Sequence, residues 1–302
     1  MVLDAISLSE KTYTAIFEHL TNSQLSVAST VCKTWSIYAL ALLYRRISIN
    51  TSSIWSHFLK YNLFQKQSSN CKELILFSIN ISSSDKLVLL EHTKDLNHIA
   101  LLKCHNLDED FLFELTKKHA KTLEKFTLWG PRTFESSVTL LNDKLLNPCL
   151  SNLLNVKQLS ICAANISDQF LLLIVSTLSD QNNNSSPSSL IELDLTECWK
   201  ITGFGVAELF SPNHLSSLRK LKLQYHEENN IDVEFFELLA NSFPDQKFDF
   251  LITKNYLRNK VLTKFDQICS ELDSLENKNS NVFVEKRDNV WMDHEILKKF
   301  TT

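Results

Sequence analysis

Two groups of residues have the types and spacing to do chemistry. The first is a set of paired charges. Glu192 and Asp194 lie two apart in LIELDL, and Lys220 and Lys222 lie two apart in LRKLKL. Residues two apart in an extended strand share a face. Two carboxylates facing two ammonium groups make either a surface charge ladder, which contributes little, or a clamp for a charged ligand. The second group is the thiols and imidazoles. Cys32 stands in VCKTW, 31–35. A nucleophilic cysteine needs a base and an electropositive, accessible pocket. Cys32 sits between Val31 and Trp35 in a helical pattern, so it is expected to pack as a small buried hydrophobe. The nine histidines include no HExxH, and the seven cysteines include no CxxC. No catalytic residue, metal site or cofactor is expected.

Composition narrows the classes further. Only three glycines occur in 302 residues, Gly130, Gly203 and Gly205. A phosphate-cradling loop needs backbone without side chains, and neither GxGxxG nor GxxxxGK[ST] is present. A net charge of −4 gives no general footprint for nucleic acid or an anionic membrane. The longest apolar runs, such as FLLLIV at 170–175, are too short to span a bilayer. An odd number of scattered cysteines and an N-terminus with no signal-peptide pattern predict an intracellular protein, cytoplasmic or nuclear, with reduced thiols.

The charged pairs belong to a recurring unit. An apolar pair two apart, three residues after an anchor, appears as CKELILFSI, LNHIALLKC, LEKFTLWGP, VKQLSICAA, LIELDLTEC, LRKLKLQYH and, weakly, DQKFDFLIT. The anchors are residues 71, 96, 123, 156, 190, 218 and 245, and four of the six steps match the ~20–29 residues of a leucine-rich repeat. Amphipathic segments follow several units, at 108–120, 167–178, 202–210 and 232–243, each opening near an Asp, Ser or Thr able to cap a helix. SDQNNNSSPSS, 179–189, reads as an inserted polar loop. Strand, turn and helix repeated at this period predict a parallel sheet on one side and helices on the other, stable only when stacked.

Ahead of the repeats lie short helices. Tyr13, Ile16, Phe17 and Leu20 mark one face of the first, which Ser9 can cap. Leu25, Ala28, Val31, Cys32 and Trp35 are assigned to a second, and Tyr38, Leu42 and Leu43 to a third. Three short helices bury little by themselves and borrow core from a neighbour or a partner.

These residues resemble the F-box. The pattern runs through Leu8, Ile16-Phe17, Leu20, Leu25, Val31-Cys32-Lys33-Thr34-Trp35 and Leu43-Tyr44-Arg45-Arg46-Ile47. Ser9 stands where the family has proline, and Lys11 where it has an acid, departures that point to lowered adaptor affinity. The resemblance implies docking on the Skp adaptor of a cullin–RING (SCF-type) ubiquitin ligase through Leu8, Ser9, Ile16, Phe17, Leu20, Leu25, Val31, Cys32 and Trp35. LIELDLTECWKITGFGVAELF, 190–210, resembles the cysteine-containing leucine-rich repeat, as does LNHIALLKCHNLDEDFL, 96–112. That subtype implies buried turn positions for Cys104 and Cys198.

The expected architecture is therefore α/β. It comprises a three-helix F-box at 1–50, a linker helix or first cap at 51–70, about seven irregular repeats at 71–253, and a helical C-terminal cap or tail at 254–302. Strands line the concave face and helices the convex one. One tail helix is expected along Leu257, Val261, Phe265, Ile268, Leu272 and Leu275, and VWMDHEILKKF, 290–300, is a second short helix or a partner-binding segment. Outward strand positions nominate Phe77, His98, Leu102, Lys125, Trp129, Glu192, Asp194, Lys220 and Lys222 as a target-binding face. Phe77, Leu102 and Trp129 recur at one position, so they form either an exposed apolar stripe or a surface covered by the linker or a terminal helix. The expected role is non-enzymatic target recognition for the ligase. The alternative is a leucine-rich scaffold whose opening helices only cap the solenoid.

Overall fold

The computed structural model describes residues 9–61, 70–131, 141–178, 189–210, 215–224, 229–253 and 262–287. It opens with three helices, α1 (Glu10–Phe17), α2 (Asn22–Ala28) and α3 (Lys33–Leu43). Strands and helices then alternate: β1 (Arg46–Ile49), α4 (Ser52–Lys60), β2 (Glu73–Phe77), α5 (Ser83–His92), β3 (His98–Leu102), α6 (Glu109–His119) and β4 (Lys125–Trp129). The alternation continues through α7 (Asp143–Leu150), β5 (Gln158–Cys162), α8 (Asp168–Leu178), β6 (Glu192–Asp194), α9 (Gly203–Leu209), β7 (Lys220–Gln224), α10 (Val233–Ser242), β8 (Lys247–Thr253), α11 (Leu262–Lys278) and β9 (Val282–Arg287).

All nine strands pair in parallel, in chain order from β1 to β9. Parallel neighbours need a crossover, and the described residues place a helix between each consecutive pair. This sheet with its helices fits a leucine-rich-repeat solenoid. Its register runs Arg46, Glu73, His98, Lys125, Gln158, Glu192, Lys220 and Lys247 across β1 to β8. The sheet is longer than the repeat pattern predicts. β1 begins inside the segment assigned to the opening helical unit, and β9 lies in the expected tail. α11 is therefore the crossover to a ninth strand, and Leu257, Val261, the 290–300 segment and most of the 179–189 insertion lie outside the described residues.

The helices start where side-chain caps allow. Ser9, Thr21, Thr51, Ser82, Asp108, Asn142, Thr202 and Asp232 each accept a backbone N–H of their own first turn. After four strands the chain turns with a left-handed residue that is not glycine: Ser78, Lys103, Ala163 and Glu197, φ 50–63°. Gly130 occupies the matching place after β4, and its reason is steric. A Cβ there would stand 2.3 Å from the Ala163 carbonyl oxygen.

Adjacent repeats are also clipped by acids at helix starts. Asp143 accepts from Ser167 N (2.9 Å) and Oγ (2.6 Å), and Asp168 does the same for Thr202. Each carboxylate sits at a helix N-terminus, where the dipole favours it. Cys104 donates to the Leu76 carbonyl at 3.4 Å and Cys198 to the Ile161 carbonyl at 3.0 Å, both from buried turns.

One core runs through the stack from Ile47 to Val284. The opening helices have a separate small core of Tyr13, Phe17, Leu25, Ala28 and Ala39. A third cluster, Ile75, Phe77, Ala100 and Leu102, lies at the alternate strand positions, with Trp129 packed against it.

Candidate functional site

The open face of the sheet forms a groove of about 690 Å³ spanning β1 to β9. Its position follows from the strand pattern. The anchored apolar residues, such as Leu74, Ile99, Phe126, Leu159, Leu193 and Leu221, turn toward the helices and are buried, so the groove is lined from the alternate positions, among them Glu73, His98, Lys125, Gln158, Glu192 and Lys220.

Toward the C-terminal strands the lining is an ion network. Lys222 Nζ lies 2.9 Å from Glu192 Oε1 and 3.6 Å from Asp194 Oδ2. Lys220 Nζ lies 2.8 Å from Asp249 Oδ2 and 3.9 Å from Glu192 Oε1. Gln158 Nε2 donates to Glu192 Oε2 at 3.3 Å. Burial by itself would lower the pKa of Lys222, but Asp194 and Glu192 outweigh it and raise it. The sequence-predicted quartet is thus one connected cluster, joined by Asp249 from β8.

Toward the N-terminal strands lies a smaller chain of charge. Glu73 Oε2 is 3.6 Å from His98 Nδ1 and 3.7 Å from Arg46 Nε. The His98 contact, ahead of Arg46 and Lys125, holds the Glu73 carboxyl below its ordinary value against the opposing effect of burial. Lys125 lies between the two clusters and is exposed.

The apolar stripe is not open. Phe77 is 7% exposed and Leu102 is 0% exposed, and neither lines the groove, whereas half-buried Trp129 does. Phe77 and Leu102 pack with Ile75 and Ala100, and Lys103 Nζ lies 5.8 Å from the centre of the Phe77 ring. The physical signal was in the sequence. ELILF and HIALL are continuous apolar runs rather than alternating ones, as in strands buried on both faces. Sequence reasoning also missed Arg46, Asp249, Phe283 and Glu285, all of which line the groove. The β-branched and aromatic run VFV, 282–284, after the polar NKNSN, was the available sign of β9.

The opening helices place the other candidates. Ser9 caps α1, accepting from Thr12 N at 3.2 Å. Phe17 and Leu25 are buried and Leu20 is half-buried. Ile16 (47%), Val31 (59%) and Trp35 (38%) remain exposed, with Trp35 edge-on to Phe17 at 5.4 Å. Leu8 lies outside the described residues. Cys32 corrects the packing expectation, because it is exposed. α2 ends at Ala28, and Cys32 becomes the N-cap of α3, its Sγ accepting from Trp35 N at 3.5 Å. The other six thiols are buried. Burial pushes the pKa of Cys71 and Cys104 to about 12 and of Cys149 to about 11, and raises those of Cys162 and Cys198. Those five are thiols, not ready nucleophiles.

No family model and no curated protein matches this sequence. Among solved structures, a chain from the crystal structure of the Rad7 and Elc1 complex in yeast is similar to it. The match covers 94% of this chain and 90% of that one, at 12% identity and a TM-score of 0.41. Within the described residues no helix is long and apolar enough to cross a membrane, and no group of three or more His, Cys, Asp or Glu is arranged to hold a metal.

Proposed function

We propose that this chain is the substrate-recognition subunit of an SCF-type cullin–RING ubiquitin ligase. The opening helices dock on the Skp adaptor, and the groove of the sheet holds a target protein. This chain supplies proximity and orientation, raising the effective concentration of target lysines near the catalytic subunits. The observation that carries the reading is the state of the opening unit. Its core is separate from that of the solenoid, and Ile16, Val31 and Trp35, all positions of the F-box pattern, present apolar side chains to solvent. Exposed apolar side chains of this size mark a surface that a second protein completes. The groove's polar and charged lining suits a protein segment better than a small apolar ligand.

The deciding experiment is co-purification of the chain with the Skp adaptor. Wild type is expected to retain the adaptor, and Ile16→Asp or Leu20→Asp to lose it while the solenoid stays folded. A wild-type chain that never retains the adaptor leaves the scaffold reading, in which the opening helices only cap the sheet.

A further inference from the structure

Lys125 stands apart from every other cation in the groove. Arg46 and His98 are committed to Glu73, and Lys220 and Lys222 to the acids of β6 and β8. Among the described residues, Lys125 is the one lining cation with no ion-pair partner within 4.0 Å. It is exposed, on β4, next to the central strand β5, with His98 and Gln158 beside it in register. In the next row, Thr127 and Ser160 are register partners whose hydroxyls can donate to an anion. Trp129, farther along the same strand, keeps its indole Nε1 buried without a hydrogen-bond partner among the described residues. β4 therefore presents one ammonium group to a groove whose other lining cations are paired, with a buried indole donor farther along the strand.

We propose that the groove reads an acidic side chain, Asp or Glu, in an extended segment of the bound protein, and that Lys125 is its counter-ion. The proposal rests on reading this face as the target-holding face. Charge decides the class. The site offers one ammonium group and neutral donors, with the Glu73 carboxylate two strands to one side and Glu192 two strands to the other. A monoanion satisfies Lys125. A phosphate dianion carries a second charge that no further free cation meets, between two carboxylates that repel it. The flanking acids also make a basic residue in the same segment favourable and a run of acids unfavourable.

The test is a selection of randomised short peptides displayed against the full chain, followed by binding of the recovered peptide. The recovered peptides are expected to share Asp or Glu at one position. Lys125→Met, which keeps most of the stem and removes the charge, weakens the recovered peptide about tenfold. Lys125→Arg retains binding, and selection on Lys125→Glu yields Lys or Arg at that position. The idea is overturned by a consensus without an acid, by unchanged binding to Lys125→Met, by failure to recover any peptide above the blank support, or by at least tenfold tighter binding when phosphoserine replaces the acid. Adaptor co-purification is read separately. If it fails while the acidic consensus holds, the groove assignment survives on a scaffold and only the ligase reading falls.

Discussion

Asp168 accepts two hydrogen bonds from Thr202, from the backbone nitrogen at 2.8 Å and from Oγ1 at 2.6 Å, and so fixes the start of α9 against the start of α8. A Cβ on Gly205 would stand 2.2 Å from the same Asp168 Oδ1. The two sites are therefore coupled. Asp168→Ala is expected to cost about 1–3 kcal/mol, the range for a charged acceptor removed from a part-buried donor. Gly205→Ala destabilises wild type but costs less in the Asp168→Ala background, where the contacts at 2.2 and 2.4 Å are gone and only the residue-168 Cβ, 2.9 Å away, remains. Urea unfolding of the four proteins checks this, and additive effects contradict the clip.

His119 sets a pH dependence. It is buried, Leu96 N donates to its Nδ1 at 3.2 Å, and Thr93 Oγ1 lies 2.9 Å from its Nε2. Since Nδ1 accepts, Nε2 carries the proton, and Thr93 passes a hydrogen bond on to the Leu89 carbonyl at 2.6 Å. Burial, then the charge of Lys118, pushes the His119 pKa down from 6.5 to about 4. The unfolded chain thus binds the proton first. Stability from this site is complete above pH ~6.5 and is lost as pH falls toward 4, by roughly 3 kcal/mol in all. The difference between wild type and His119→Gln, followed by urea unfolding from pH 7.5 to 4, is expected to shrink with acid.

The ion network predicts a salt-sensitive loss. Lys222→Gln leaves Glu192 and Asp194 facing each other without their shared cation. The side chains are 15–29% exposed, and solvent screening limits the cost to about 1–2 kcal/mol. Thermal melts at low and high salt are expected to differ more for wild type than for the variant.

Neighbouring residues of α1 separate surface from core. Ile16 is 47% exposed and Phe17 is 2% exposed. Ile16→Asp is expected to leave stability within about 0.5 kcal/mol of wild type, whereas Phe17→Ala costs about 3 kcal/mol and loosens the opening helices. Equal losses in chemical denaturation contradict this packing.

Thiol counting tests the burial pattern directly. Of seven cysteines only Cys32 is exposed. A disulfide reagent is expected to titrate one thiol quickly in the native protein and all seven in denaturant, and Cys32→Ser removes the fast one. A second fast thiol contradicts the structure.

The sequence alone determined the repeat, because the paired apolar positions after each anchor state which side of a strand faces the helices, and that alternation is local. It also determined where most helices begin, since a cap is one residue acting on the next turn. It placed Glu192 and Asp194 opposite Lys220 and Lys222, because a parallel register follows once the repeat is aligned. Tertiary structure decided what periodicity does not encode. Arg46–Ile49 and Val282–Arg287 are strands because neighbouring strands give their backbone groups partners. Phe77 and Leu102 are buried because Ile75, Ala100 and Trp129 gather on the same face. Cys32 is exposed because α2 stops at Ala28 and the chain turns before α3. Lys125 has no ion-pair partner within 4.0 Å among the described residues, whereas Glu73 and Glu192, two strands to either side, are each paired with other cations. Which face a residue occupies is a property of the local chain, whereas what meets it there depends on residues a full repeat or more away.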